Sequence, residues 1–174
     1  MESPGKILIS REEISLQIEK IAAAIAEGYQ QERVLFVGVL KGASIFLADL
    51  IRCLDIPLGI DYMAVSSYGS STKSSGVVRI LKDLDENIEG KNVILVEDIV
   101  DTGLTLHFLL ETLKQRFPRS IQVASLLDKP AKRQVQLEVD YCGFTITDHF
   151  VVGYGLDYNG KYRNLPDICV LEEV

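Results

Sequence analysis

Short apolar runs alternate along this chain with stretches in which apolar residues recur at helical spacing. Four runs of β-branched and bulky residues, at 34–39, 59–65, 93–96 and 121–127, predict core strands. Apolar residues recur every three or four positions at 14–25, 45–51 and 106–117, which predicts amphipathic helices. This alternation is typical of an α/β fold. We therefore expect a mostly parallel central sheet, flanked by helices on both faces and joined by right-handed crossovers.

The two ends of the chain add weaker signals of the same kinds. Ser10 and Glu13 have the spacing of a capping box, so the first helix is expected to begin after Ser10 and to end near Gly28. Further strands are predicted by apolar segments at 77–81, 141–146, 150–154 and 168–171.

The most informative stretch covers residues 93–105 and reads V-I-L-V-E-D-I-V-D-T-G-L-T. Its first four residues are apolar and end in two carboxylates, Glu97 and Asp98. The segment D-T-G follows at 101–103, and helical spacing begins after it. This pattern predicts a buried strand, a turn and the N-terminus of a helix, and open α/β sheets bind ligands at such strand ends.

The residue types in this turn suit a ligand that carries both a phosphate and a sugar. Gly103 permits a tight backbone, Thr102 and Thr105 offer hydroxyls, and a helix start offers free N–H groups. Glu97 and Asp98 would repel a phosphate, but they fit ribose hydroxyls or Mg²⁺. Phosphoribosyl pyrophosphate (PRPP) is a ligand that would satisfy all of these groups.

The same stretch also fits other kinds of site. An apolar strand that ends in acids also occurs as a Walker B strand. However, the chain contains no G-x-x-x-x-G-K-S/T and no G-x-G-x-x-G after a strand, which argues against P-loop and dinucleotide sites. Asp101 also fits the N-cap of the following helix, and that structural role does not exclude a chemical one.

Composition narrows the class of protein. The 174 residues are enough for one domain, and 47% of them are hydrophobic and 25% charged. The net charge of −7 argues against a nucleic-acid-binding surface. Three widely spaced cysteines without a C-x-x-C motif indicate reduced thiols of a cytoplasmic protein, and we expect no leader peptide and no membrane segment.

Several other positions are ambiguous on spacing alone. Lys41 and Lys129 follow predicted strands, where a ligand-binding lysine is reasonable but spacing alone favours a surface lysine. Phe150 fits an ordinary core residue, and Lys132 and Arg133 fit surface residues. The Ser- and Gly-rich segment at 66–76 fits either a floppy hairpin or a lid that excludes water from a reaction.

The central stretch resembles the PRPP-binding signature of type I phosphoribosyltransferases, and nearly the whole chain is similar to the 6-oxopurine branch of that family. The similarity also covers L-K-G at 40–42, S-Y at 67–68, D-K-P at 128–130, F-V-V-G-Y-G-L-D-Y at 150–158 and Y-R-N at 162–164. It implies the type I phosphoribosyltransferase fold. A hood from the N-terminal segment and about 150–174 would cover the base pocket, with a lid at about 66–77.

The resemblance also implies a role for each matching residue. Asp101 would exchange a proton with the purine N7, and Glu97 and Asp98 would bind the ribose or metal of PRPP. Thr102, Gly103 and Thr105 would hold the 5′-phosphate. The expected pyrophosphate contacts are Lys41, Gly42, Arg163 and the lid residues Ser67 and Tyr68. The expected purine contacts are Lys129, Phe150, Val151 and Asp157, of which Asp157 would also hold a second Mg²⁺. The 40–41 peptide is expected to be cis.

The implied activity is Mg²⁺-dependent purine salvage. PRPP and hypoxanthine or guanine would give IMP or GMP and pyrophosphate, in a homodimer or homotetramer with no nucleic-acid or membrane partner. Two alternatives stay open. One is the same class of enzyme with xanthine as its preferred base. The other is a non-catalytic PRPP sensor that binds nucleic acid, against which the acidic composition stands.

Overall fold

The computed structural model describes residues 5–67 and 78–171 of the chain. Its helices are α1 (Arg11–Tyr29), α2 (Ala43–Arg52) and α3 (Leu104–Lys114), and a 3₁₀ turn spans Pro130–Lys132. The strands are β1 (Ile7–Ile9), β2 (Val34–Leu40), β3 (Leu58–Ser67), β4 (Val78–Lys82), β5 (Asn92–Val100), β6 (Ser120–Asp128), β7 (Tyr141–Thr145), β8 (Val151–Val152) and β9 (Ile168–Val170). No helix in the described part is long and apolar enough to cross a membrane.

Six strands form a central sheet in the order β4-β3-β2-β5-β6-β7. β3, β2, β5, β6 and β7 run parallel, and β4 pairs antiparallel with β3 at one edge. The predicted α/β fold with a mostly parallel sheet is therefore confirmed. The four predicted core strands are β2, β3, β5 and β6, and the apolar segment that begins at Tyr141 adds a fifth parallel strand.

Alternate residues of the inner strands are buried on opposite faces of this sheet. Phe36 of β2 and Ile94 of β5 belong to a core that α1 and α2 cover. Val37 and Leu95, the next residue in each strand, belong to the opposite core, which α3 covers. All four side chains are fully buried. The prediction of helices on both faces is thus confirmed, because a sheet that is apolar on both sides must be covered on both sides.

β5 is longer than its apolar run predicts. The strand continues through both carboxylates as far as Val100 instead of ending at Val96. Val100 is still in register with Asp128 of β6, so ladder hydrogen bonds hold the strand together beyond its apolar part. As a consequence, Glu97 and Asp98 lie on a rigid strand, where side chains alternate between the two faces.

α3 is shorter than predicted. The helix ends at Lys114, and Phe117 lies outside it with φ 54° and 75% of its surface exposed. Assigning Phe117 to the apolar face of the helix was wrong. Pro118 follows it in the sequence, and a proline disfavours the helical conformation in the residue before it.

A second, three-stranded sheet has the order β1-β9-β8 and joins the two ends of the described chain. These are the segments from which the hood was expected. Asp167 connects this sheet to α1, because its carboxylate accepts a 2.8 Å hydrogen bond from the Arg11 backbone N–H and lies 3.2 Å from the Arg11 guanidinium. The predicted capping box of Ser10 and Glu13 is present at the start of α1.

Candidate active site

The turn after β5 lines a cavity at the carboxyl edge of the sheet. Gly103 precedes α3 with φ 80°, a left-handed conformation that glycine adopts without steric cost. The lining residues are Glu97, Ile99, Val100, Asp101, Thr102, Gly103, Thr105 and Leu106. The turn residues expected to bind phosphate are therefore brought together with Glu97 and Asp101 around one space.

Asp101 is not the N-cap of α3, because Gly103 occupies that position without a side-chain cap. The structural interpretation of Asp101 is therefore wrong. Its Oδ1 atom is buried and has no hydrogen-bond partner within the described residues. A buried acceptor without a donor is costly, and such groups are found where a ligand supplies the missing partner.

Glu97 and Asp98 lie on opposite faces of β5, since they are neighbours in a strand. Glu97 lines the cavity beside Asp101. Burial raises the pKa of Glu97 well above its usual value, and the charge of Asp98 adds to the effect. Burial also raises the pKa of Asp98 to about 6, although backbone N–H groups and Arg163 act in the opposite direction.

The loop after β2 lies against Asp98. The Leu40–Lys41 peptide is cis, which confirms that expectation. Lys41 is exposed and Gly42 is buried. A Cβ on Gly42 would overlap the Asp98 carboxylate, and a Cβ on Gly155 would overlap the Gly42 carbonyl oxygen. Only glycines fit at these two positions, so the loop is packed between β5 and the turn at Gly155.

Arg163 and Asp157 form an ion pair next to this loop. Arg163 Nη2 lies 2.6 Å from Asp157 Oδ1, and Nη1 donates a 2.6 Å hydrogen bond to the Gly155 carbonyl. Asp157 Oδ2 accepts a hydrogen bond of 2.8 Å from the Gly160 N–H. Both charges act on Asp98, because Arg163 lowers the pKa of that carboxyl and Asp157 raises it.

Lys129 is buried at the end of β6, with 6% of its surface exposed. Its ammonium donates a 2.6 Å hydrogen bond to the His149 carbonyl, and its backbone N–H donates to the Val100 carbonyl at 2.9 Å. A surface lysine, which spacing alone favoured, is therefore the wrong interpretation. An ammonium has three donor hydrogens, so this lysine retains donors for a ligand.

Phe150 follows His149 and is 53% exposed, which excludes the core interpretation. The Tyr158 ring stands edge-on to it, with the ring centroids 5.6 Å apart and the planes at 84°. The neighbouring Val151 is buried in β8. The structure therefore brings an exposed aromatic face close to the buried ammonium of Lys129.

Arg133 lies in a position that the sequence did not predict. Its side chain is only 15% exposed and is ion-paired with Asp128. Assigning it to the surface was wrong, whereas Lys132 is exposed as expected. The segment from Arg133 to Val139 alternates between half-buried and exposed residues with a period of two, a signal visible in R-Q-V-Q-L-E-V.

The expected lid lies largely outside the described residues. Ser67 is the last residue of β3, and Tyr68 falls in the part that is not described, together with the rest of the lid up to position 77.

Side chains of the described residues do not by themselves form a metal site. Within residues 5–67 and 78–171, no three side chains of His, Cys, Asp or Glu group together in a way that could hold a metal ion. Mg²⁺ in phosphate-transfer sites usually takes one or two carboxylates and completes its shell with water and substrate phosphates. Asp98 and Asp157 fit that pattern, because the charge of Asp157 is near enough to raise the pKa of Asp98.

Comparison with known proteins covers almost the whole chain. A family model described as the phosphoribosyl transferase domain matches residues 7–159. The hypoxanthine-guanine phosphoribosyltransferase of Bacillus subtilis (strain 168) is 50% identical over 167 residues, which span 96% of this chain and 93% of that protein. The Mycobacterium avium protein of the same name is 48% identical over 178 residues, spanning 97% of this chain and 88% of that one.

A solved structure agrees with these matches. The crystal structure of a hypoxanthine-guanine phosphoribosyltransferase from Bacillus anthracis has a TM-score of 0.94 to this chain at 45% identity, and the match covers 98% of this chain and 100% of that one. Together with the strand, turn and helix start around Asp101, these matches establish that the chain belongs to the phosphoribosyl transferase family.

Proposed function

We propose that this chain transfers the 5-phosphoribosyl group from PRPP to hypoxanthine or guanine, giving IMP or GMP and pyrophosphate. Relatives at 48% and 50% identity carry the name of that activity. The observation that carries the proposal is the position of Lys129. Its backbone is hydrogen-bonded to β5 beside the turn, and its buried ammonium lies beside the segment that leads into Phe150. The lysine proposed to donate to the purine therefore lies next to the turn proposed to bind the phosphate.

The turn after β5 binds the 5′-phosphate in this proposal. The first N–H groups of α3 have no partner within the helix, and the helix dipole favours an anion at that end. Thr102 and Thr105 line the same cavity and supply hydroxyl donors. Glu97 and Asp98 accept hydrogen bonds from the ribose hydroxyls, one from each face of β5.

The purine lies between Phe150 and the ammonium of Lys129. Phe150 offers an exposed aromatic face for stacking. Lys129 donates a hydrogen bond to the 6-oxo group, and the backbone of Val151 contacts the edge of the ring. Adenine presents an amino group at position 6, so a buried donor would face another donor, and adenine is rejected.

Pyrophosphate is held on the other side of β5. The Lys41–Gly42 loop and Arg163 converge on Asp98, and Ser67 and Tyr68 contribute from the lid. Arg163 is paired with Asp157, so binding of pyrophosphate gives the guanidinium a second anion to bridge. Asp157 and Asp98 would hold Mg²⁺, which neutralises the charge of the leaving pyrophosphate when it is bound.

Asp101 accepts the N7 proton of the purine during the transfer. The base N9 bonds to C1′ of the ribose, the bond from C1′ to pyrophosphate breaks, and pyrophosphate leaves with the electron pair. The proton on N7 passes to the Asp101 carboxylate, whose Oδ1 has no hydrogen-bond partner among the described residues. The carboxylates of Glu97 and Asp98 stabilise positive charge that develops on the sugar. The active species is a homodimer or homotetramer.

A steady-state assay with PRPP, Mg²⁺ and each of four bases tests this proposal. We expect turnover of hypoxanthine and guanine, with kcat/KM for adenine lower by at least about 100-fold, since buried polar groups would be left unpaired. Fastest turnover with xanthine would change the substrate assignment. PRPP binding without turnover of any base would contradict the proposal and favour a PRPP sensor.

A further inference from the structure

The charged residues that line the cavity after β5 are unsuited to an anion. Among the described residues that line it, Glu97 and Asp101 are the charged ones, and both are acidic. The turn itself, D-T-G-L-T, contains no lysine or arginine. A dianionic phosphate next to the Asp101 carboxylate and a second acidic side chain is costly unless a cation lies near, even with the N–H groups of a helix start.

Arg133 lies directly behind this turn. Gly103 has no side chain, and a Cβ built on it would lie 2.5 Å from Cδ2 of Leu137, 3.0 Å from Cδ of Arg133 and 3.1 Å from Cγ2 of Val135. The next residue, Gln134, donates a 2.9 Å backbone hydrogen bond to the Thr102 carbonyl. The stem of Arg133 is thus packed against the tightest point of the turn, and its main chain is connected to the turn by the adjoining residue.

Only part of the Arg133 guanidinium is hydrogen-bonded to other described residues. Nη2 pairs with Asp128, whose side chain is 16% exposed. Nη1 is buried and has no hydrogen-bond partner within residues 5–67 and 78–171. The positive charge of a buried arginine with an unused donor acts strongly on its surroundings, because little water is present to screen it. Lys132, the preceding residue, is exposed and paired with Asp148 at 2.9 Å.

We propose that Arg133 is the cation that balances the 5′-phosphate in the turn, and that Asp128 limits its strength. This role rests on the proposed function, because it supports the phosphate site assigned there. Arg133 is a positioning and electrostatic residue that acts from behind Gly103, and it takes no part in proton transfer. The ligand group it favours is the phosphate monoester of PRPP and of the nucleotide product, not pyrophosphate.

Removing the charge of Arg133 and removing the charge of Asp128 give opposite results if this is correct. We expect Arg133→Gln to raise the inhibition constant of IMP about tenfold or more, and Arg133→Lys to restore part of the affinity because the charge returns. We expect Asp128→Asn to lower the constant two- to fivefold, because the guanidinium loses its neutralising partner. The inhibition constant of pyrophosphate should change less than twofold in all three variants.

A second ion pair serves as a matched control. Arg116 also pairs with an aspartate, because its two Nη atoms donate to the two carboxylate oxygens of Asp83. It follows the C-terminus of α3, at the opposite end of the helix from the turn. An eleven-residue helix is about 16 Å long, beyond the Debye length in ordinary buffers. Arg116→Gln should therefore leave both inhibition constants within twofold of the unaltered protein.

The outcomes separate this role from the proposed function. If the unaltered protein neither binds IMP nor transfers the phosphoribosyl group, the proposed function is wrong. If it does both, and Arg133→Gln raises the inhibition constant of IMP by clearly less than tenfold, the role of Arg133 alone is wrong. Equal weakening of IMP and pyrophosphate, or weakening by Asp128→Asn, would show a structural effect and would also overturn it. Thermal melting of each variant verifies that it is folded.

Discussion

The ring of Tyr158 stands edge-on to the ring of Phe150, with centroids 5.6 Å apart and planes at 84°. Both rings are about half exposed, so the pair is not part of the core. Tyr158 begins a tight turn in which its N–H and carbonyl pair with Lys161, next to the Asp157–Arg163 ion pair. The ring assigned to purine stacking is therefore held by the same turn that carries the groups assigned to pyrophosphate.

Loss of this ring contact should weaken binding of the base. An edge-to-face pair contributes about 0.5–1.5 kcal/mol beyond its buried area, so Tyr158→Ala should raise KM for hypoxanthine about 2- to 10-fold. KM for PRPP and kcat should stay within about twofold. Tyr158→Phe keeps the ring and should behave like the unaltered protein. Equal losses in Tyr158→Ala and Tyr158→Phe would show that the hydroxyl, not the ring contact, matters.

Gly42 should tolerate no larger residue. A Cβ at this position overlaps the Asp98 carboxylate, so Gly42→Ala must displace either the loop or the acid. We expect a destabilisation of about 1–3 kcal/mol, the usual cost of overpacking, together with a raised KM for PRPP. Urea unfolding and steady-state kinetics measure the two effects.

Gly28 of α1 provides the control for that variant. A Cβ there would meet the Tyr141 hydroxyl at 3.5 Å, an ordinary contact. Because alanine favours a helix over glycine by up to about 1 kcal/mol, Gly28→Ala should be neutral or stabilising. If Gly42→Ala and Gly28→Ala were equally stable and active, the close packing of the loop on Asp98 would be refuted.

Asp61 should make the stability of the fold depend on pH. Its buried carboxylate accepts backbone hydrogen bonds from Tyr62 at 2.7 Å, Asp85 at 2.8 Å and Glu86 at 3.0 Å. Burial alone would raise its pKa, but these N–H groups, with Lys82, hold the pKa below its ordinary value. A carboxyl with a lowered folded-state pKa stabilises the fold above its unfolded-state pKa of about 3.9, and this stabilisation is lost as the pH falls through the folded-state value.

The loss of stability in an Asp61 variant should therefore be larger at neutral pH than at acidic pH. Asp61→Asn should lower the free energy of unfolding at pH 7 by about 1–3 kcal/mol, because hydrogen bonds from three N–H groups to a charged acceptor are lost or weakened. Near pH 3 the difference between the variant and the unaltered protein should shrink. Asp85→Asn, at an exposed carboxylate, is the control and should have little effect at either pH. A difference for Asp61→Asn that is independent of pH would contradict the account.

The sequence predicts the strands and the turn well because their signals are local. The apolar run before Glu97 and the Gly103 turn depend on neighbouring residues, and both are where the pattern indicates. The residue at which a helix ends is predicted less well. Phe117 is an example, because the helical spacing of apolar residues continues past the point at which α3 ends.

Contacts between residues that are far apart in the sequence produce no local pattern from which they could be predicted. The burial of Lys129 depends on the His149 carbonyl, 20 positions later in the chain, and that of Arg133 depends on packing behind Gly103. Neither spacing nor composition contains that information. The resemblance to a family indicated a role for Lys129, whereas Arg133 was identified only from its contacts.

The central claim is that Asp101 carries the proton of the transfer in a site where the turn binds the phosphate. The most direct test compares kcat for hypoxanthine and the dissociation constant for PRPP in the unaltered protein and in Asp101→Asn, which keeps the shape of the side chain. We predict that kcat falls about 10²- to 10⁴-fold, the usual contribution of a general base, while PRPP binding changes only a few-fold. A kcat within tenfold of the unaltered protein would contradict the claim.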